Sequence, residues 1–358
     1  MRSQSAIEVI SPAIERTKQF LFKPFSPGRF LKLTLVAVLA EGAGGGTNLG
    51  GNFPSGGNSK APNVPWKMPH IDWLAILQHW LPFIAVVAVI VLAIGIVLSY
   101  LLIRLRFSYF DCVLREQDEI GPAWEMYHAQ ALRYLGLSLL VGLGFWVVVI
   151  PIGYEVYQHF KPLIASIGNG QTVDLWSFVP LLATVGPILL LLALLTGLIH
   201  LAMTCFVLPR MALEDASIGD ALSDVWSDIK LEPGQFSLFI LFRFLLGIAG
   251  NLIGAFVLIL PFVVVLGIGV VIVLIAKAAS TALAFIVGIP LAVMIFGLFI
   301  LACIGVSGTM ATFQRNYALL FYGGRYPLLG SMLPPPPPPR VWQPAPTYAP
   351  PPNPAHGA

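Results

Sequence analysis

Charge is scarce in this chain. Asp, Glu, Lys and Arg make up only 10% of its 358 residues and hydrophobic residues 57%, where an ordinary soluble domain is about 25% charged. That shortage excludes a soluble globular protein. Cysteine is scarce too: Cys112, Cys205 and Cys303 stand far apart with no C-x-x-C pair, so neither a disulfide framework nor a zinc site is supported. The formal net charge is +3 and the basic residues form no run, which argues against a nucleic-acid partner. No serine, cysteine or carboxylate stands in a nucleophile or metalloprotease motif such as G-x-S-x-G or H-E-x-x-H, so the expectation is a non-enzymatic protein without a cofactor. The glycine-rich stretch from Glu41 to Pro65 lacks the Lys-Ser/Thr step and the strand of a phosphate-binding loop and reads as a flexible connection. The N-terminal region lacks the compact apolar core and cleavage site of a signal peptide and reads as retained.

What is abundant is apolar length. The runs Leu81 to Ile103, Tyr134 to Tyr154, Phe178 to Leu208 and Phe236 to Ala276 each reach the ~20 residues that cross a ~30 Å hydrocarbon core. A shorter run from Phe30 spans only if it continues to Gly45. Trp66, Trp73 and Trp80 approach the next span as interfacial anchors. Suppose that the N-terminus is cytoplasmic and that the spans cover 30–45, 81–103, 134–154, 178–208, 236–260 and 280–307. The outer side then holds only Lys60, Lys67, Lys161 and Lys277, Arg243 lies inside a span, and every other Lys and Arg is cytoplasmic. That asymmetry follows the positive-inside rule and is spoiled by omitting the first span or adding another. Pro261 to Lys277 accordingly reads as an outer-side extension or a re-entrant segment. The fold expected is all-α: a polytopic bundle of about six transmembrane helices in a prokaryotic plasma membrane, both termini cytoplasmic.

Three polar islands interrupt the apolar runs. In Ser5 to Phe22, Ser5-x-x-Glu8 has capping-box spacing, Ser11-Pro12 is a second helix start, and Ala13, Ile14, Phe20 and Leu21 share a face opposite Glu15, Arg16, Lys18 and Gln19. In Arg104 to Arg133, Trp124, Tyr127, Ala131 and Tyr134 form one stripe, suited to the headgroup level. In Pro209 to Phe236, Ile218, Ala221, Leu222, Val225, Trp226 and Ile229 recur at helical spacing. All three read as interfacial amphipathic helices. Their opening phrases echo one another, Ile10-Ser-Pro-Ala-Ile14, Ile120-Gly-Pro-Ala-Trp124 and Ile218-Gly-Asp-Ala-Leu222, and Pro27-Gly-Arg-Phe30 matches Pro233-Gly-Gln-Phe236. Each hairpin also ends in an arginine: Arg106, Arg210, Arg315. The organisation expected is three parallel hairpin repeats, 1–103, 104–208 and 209–327, followed by a tail at 328–358. The echoes are equally what good surface-helix starts look like. The tail, with prolines at every position from Pro334 to Pro339 and more beyond, reads as disordered polyproline II, available to a cytoplasmic protein that reads such helices.

Few residues carry candidate chemistry. Asp220, Asp224 and Asp228 form a ridge suited to a hard cation or a basic partner, although such a ridge is more often a solvated face. Arg243, inside a span, pairs with that ridge, binds lipid phosphate or lines a path; snorkelling to the headgroups is the blander reading. Asn251, within Gly250-Asn-Leu-Ile-Gly254, is first a helix-packing signal. His200 bonds a neighbouring helix or relays protons. His70, Asp72 and His79 lack further ligands at a metal-site spacing, and no metal is expected.

The amphipathic entries into apolar hairpins, with Phe206-Val-Leu-Pro-Arg-Met-Ala-Leu-Glu214 ahead of Ile218-Gly-Asp-Ala-Leu222, loosely resemble uncharacterised prokaryotic multi-span families related to the membrane domain beside glycerophosphodiester phosphodiesterases. The resemblance implies a fold; the phosphodiesterase activity does not carry over, because its catalytic domain is missing from these residues. Two functions stay open. The leading one is a non-enzymatic scaffold or assembly factor among membrane lipids. The other is a transporter or channel with a path between the repeats lined by Arg243, Asn251 and His200. A membrane-embedded enzyme comes third.

Overall fold

A computed structural model describes residues 4–42, 73–168 and 179–333. The glycine-rich connection, His70, Asp72 and the proline-rich tail lie outside the described residues. In chain order the helices are α1 (Ile10–Phe22), α2 (Pro27–Gly42), α3 (Trp73–Arg115), α4 (Gly121–Met126), α5 (His128–Gly168), α6 (Val179–Ala202), a π-helical turn (Met203–Val207), α7 (Leu208–Glu214), α8 (Ile218–Leu231), α9 (Pro233–Ala279), α10 (Thr281–Gly323) and α11 (Pro327–Met332). The described residues contain no strand. Five helical runs are long and apolar enough to cross a membrane: 82–115, 128–158, 183–214, 233–279 and 281–323. With 16 residues, α2 is about 24 Å long and is not among them.

The starts of these helices follow local chemistry. Ahead of α1, the Ser5 N–H donates to Glu8 Oε2 at 3.0 Å and the Glu8 N–H to Ser5 Oγ at 3.3 Å, the reciprocal capping box its spacing announced. Ser217 caps α8, accepting from the Asp220 N–H and donating to its carboxylate at 2.6 Å. Ser280 caps α10. The echoed phrases all fall at helix starts: Ile10, Gly121 and Ile218 open α1, α4 and α8, and Pro27 and Pro233 open α2 and α9. Beyond Pro261 the chain simply continues as α9 to Ala279.

Small residues decide how the long helices meet. Gly250 faces Met310, Gly254 faces Val306 and Gly269 faces Ile295, so α9 and α10 pack antiparallel over most of their length. Gly305 faces Phe30 and Gly308 lies against the Thr34 backbone, so α2 runs parallel to α10. A side chain at 308 would push these two backbones apart. The hydrophobic core gathers the last third of α3, the α4–α5 junction, the π turn with α7, the first turns of α9, the last third of α10, and α1 and α2. Its centre is aromatic: Phe239 stacks on Phe321 at 4.4 Å and on Tyr317 at 5.1 Å, and Phe206 packs on Phe239 and Tyr322. Outside that core the long helices turn apolar side chains outward, as from Phe83 to Leu101 on α3 and from Leu252 to Ile275 on α9.

Two expectations about faces change. Arg16 lies inside the protein, where Nη2 caps the α3 carbonyls of Val113 and Leu114 at 3.0 and 2.9 Å. Free carbonyls at a helix end are strong acceptors, which outweighs the pull of solvent on one guanidinium. The stripe of Tyr127, Ala131 and Tyr134 packs into the core against Phe107 rather than facing headgroups. α8 divides its apolar face, burying Ala221 and Val225 while Leu222 and Trp226 stay exposed, as a helix lying along an interface does.

Candidate functional site

A buried polar cluster forms where the last turn of α2 meets α3, the π turn and α10. Glu41 sits at the C-terminal end of α2, where the helix dipole opposes a carboxylate. Two arginines offset that. Arg106 of α3 donates from Nε to the Ala40 carbonyl at 2.8 Å, and Arg315 of α10 brings Nε to 3.4 Å from Glu41 Oε1, with side-chain exposures of 2% and 10%. The Glu41 carboxylate is buried, and Arg243 and His200 lie within electrostatic reach of it alongside Arg315 and Arg106. Alongside, Tyr109 donates to Thr312 Oγ1 at 2.9 Å, and the Arg315 guanidinium lies 5.4 Å from the Phe110 ring.

The π turn explains how Arg315 is held. In a regular helix the Thr204 carbonyl would accept from the Leu208 N–H, but Leu208 donates to Met203 instead. The donor in a continued π pattern is residue 209, a proline with no N–H. The Thr204 carbonyl is therefore left over, and Arg315 Nη1 takes it at 2.9 Å.

The residues singled out in the sequence fall into three groups. Arg243 and His200 lie within electrostatic reach of Glu41: Arg243 turns onto α10, donating to the Gln314 carbonyl at 3.0 Å, and His200 Nε2 lies 3.4 Å from Thr204 Oγ1. Asn251 is exposed on α9 and takes no part. The aspartate ridge is divided. Asp220 serves the α8 cap, whereas Arg210 of α7 binds Asp224 Oδ2 at 2.9 Å and Asp228 Oδ2 at 2.7 Å and donates from Nε to Tyr322 Oη. Among the described residues no set of three His, Cys, Asp or Glu is placed to hold a metal ion.

Further ion pairs tie connections to the core. Glu232 binds Arg325, whose guanidinium stacks 4.0 Å from the Phe321 ring, and Asp215 accepts from Arg133 and Gln130. Burial pulls the Arg16 guanidinium below its ordinary range, against the opposing pull of Glu116. Burial and the Asp111 carboxylate push the Tyr127 phenol above its own.

Sequence reasoning missed Glu41, Tyr109 and Thr204 as site members. Two signals were present: a lone acid closing an apolar run, and arginines ending the hairpins. Neither says that they meet.

Bare apolar helices around an aromatic core and a buried acid–arginine cluster define a polytopic helical membrane protein. Within that class, the chain belongs to the DUF7544 family, a family of unknown function whose model matches residues 4–332. No curated protein and no solved structure matches it. Nothing in these comparisons ties the chain to the membrane domain of glycerophosphodiester phosphodiesterases.

Proposed function

We propose that this protein is a non-enzymatic membrane scaffold. One observation carries the reading: tight packing is concentrated in a single core, and the helices leaving it present apolar flanks outward, as with Phe244, Ile248, Leu252 and Phe256 on α9. A core stapled by arginine-to-carbonyl bonds is a rigid junction, and its free flanks are available to lipid and to neighbouring spans. The proline-rich tail would extend the same role to a cytoplasmic partner.

Placement in a prokaryotic plasma membrane with cytoplasmic termini is part of this proposal and rests on the distribution of Lys and Arg. A sixth crossing by residues 30–45 has the same support, against the shortness of α2 and its parallel run along α10. Triplication is supported by the echoed phrases opening α1, α4 and α8.

The transporter reading has an observation of its own, two ionisable side chains, Arg243 and His200, within electrostatic reach of buried Glu41. The two are separated by joining photo-crosslinking in native membranes with flux measurements on proteoliposomes. A scaffold gives protein adducts from a photoreactive side chain at Phe256 but none at buried Phe239, with solute flux equal to that of empty vesicles. Flux that disappears in Arg243→Gln replaces the scaffold with a transporter.

A further inference from the structure

The charges of the Glu41 cluster do not balance. Arg106 and Arg315 are buried and Arg243 is half-buried, and guanidinium groups stay protonated in proteins. Among the described residues, one carboxylate, Glu41, stands against these three. Other acids near the core are engaged elsewhere: Asp111 by Arg115 and Tyr127, Asp224 and Asp228 by Arg210, Glu232 by Arg325. Surplus charge of one sign inside a protein is costly unless a counter-ion meets it.

The hydrogen bonds do not close either. Among the described residues, Arg315, 2% exposed, has Nη2 buried without a hydrogen-bond partner, and its Nε and Glu41 Oε1 face each other at 3.4 Å as an ion pair that does not close as a hydrogen bond. Unmet donors beside an unmet acceptor ask for a ligand with both functions. Water supplies both but leaves the charge uncompensated.

We propose that this cluster binds a phosphomonoester-class oxyanion, either inorganic phosphate or the headgroup of a phosphatidic-acid-type lipid. Its oxygens accept from Arg315 and its neighbours, and its P–OH donates to Glu41 Oε1. Sulfate, fully deprotonated, and phosphodiesters lack that donor and are disfavoured. The proposal goes beyond the scaffold reading and does not depend on it.

The test uses the full chain in phosphatidylcholine nanodiscs. Thermal unfolding and native mass spectrometry are followed with inorganic phosphate, with sulfate, or with phosphatidic acid built into the disc. The expected result is a saturable rise in unfolding temperature with phosphate but not sulfate, identifying the free anion, or a retained phosphatidic-acid adduct, identifying the headgroup. Arg243→Gln, which loses only one backbone hydrogen bond in this structure, folds and binds about tenfold more weakly, the worth of one charge-assisted hydrogen bond. Arg243→Lys recovers part of the loss. No response to either probe, an equal response to sulfate, or an unchanged response in Arg243→Gln overturns the proposal.

Discussion

Arg315 and Glu41 meet inside the core, Nε to Oε1 at 3.4 Å, one in the last third of α10 and the other in the last turn of α2. Removing Glu41 leaves the Arg315 charge without its carboxylate in low dielectric, and removing Arg315 takes from Glu41 its ion-pair partner and from the Thr204 carbonyl its donor. Glu41→Gln and Arg315→Met are each expected to lose about 3–5 kcal/mol, and Glu41→Met combined with Arg315→Met less than the sum. Denaturant unfolding in micelles measures this; strict additivity would show that the pair is not coupled.

Gly308 sets the approach of α2 to α10, because an added Cβ falls on the Thr34 backbone. Gly308→Ala is expected to lower stability by about 1–3 kcal/mol. Gly305→Ala meets only the edge of the Phe30 ring, at 3.3 Å, and should cost clearly less. Comparing the two melting temperatures is enough, and equal losses would contradict the close crossing.

Pro209 frees the Thr204 carbonyl for Arg315. Supplying the missing N–H with Pro209→Ala gives that carbonyl a second donor. Arg315→Met should then cost about 1–2 kcal/mol less in the Pro209→Ala background than in the native one. A double-mutant cycle with no coupling would mean that the proline does not shape this contact.

Arg210 joins α7 to α8 through two aspartates of unequal exposure, 49% for Asp224 and 20% for Asp228. Asp228→Asn should lose about 1–2 kcal/mol, because Asp228 also accepts from Tyr322. Asp224→Asn, screened by solvent, should lose under about 1 kcal/mol. Amide exchange along α8 reports both, and the reverse order would count against the geometry.

The antiparallel α9–α10 hairpin places Ser280 at its turn and Ser331 just beyond its open end. In a variant lacking Cys112, Cys205 and Cys303, Ser280→Cys should label from outside with an impermeant thiol reagent, while Ser331→Cys and Ser223→Cys stay protected. Labelling of Ser280→Cys and Ser331→Cys from the same side would show that the hairpin does not cross the membrane as two spans.

Helix existence, membrane class and most helix starts are readable from the sequence because they depend on neighbours. Apolar length from Leu81 to Ile103 or Phe236 to Ala276 is a property of one segment, and Ser5 with Glu8, or Ser217 with Asp220, meet within one turn. The destinations of the arginines are different in kind. Arg16 looks solvent-facing on its own helix, yet it caps α3 because a free helix end elsewhere offers carbonyls that water would otherwise have to satisfy. Arg243 looks like a snorkelling side chain, yet α10 provides a nearer acceptor.

Glu41 shows the division most sharply. By itself the sequence determined that an acid closes the run after Phe30 and that arginines recur near the ends of apolar segments, since both are matters of order along the chain. Only the tertiary structure decided that they meet. Contact between α2 and α10 requires the bare backbone of Gly308 against Thr34, and the hold on Arg315 requires a carbonyl freed by Pro209, so the site is fixed by long-range sterics and hydrogen bonding that no periodicity encodes.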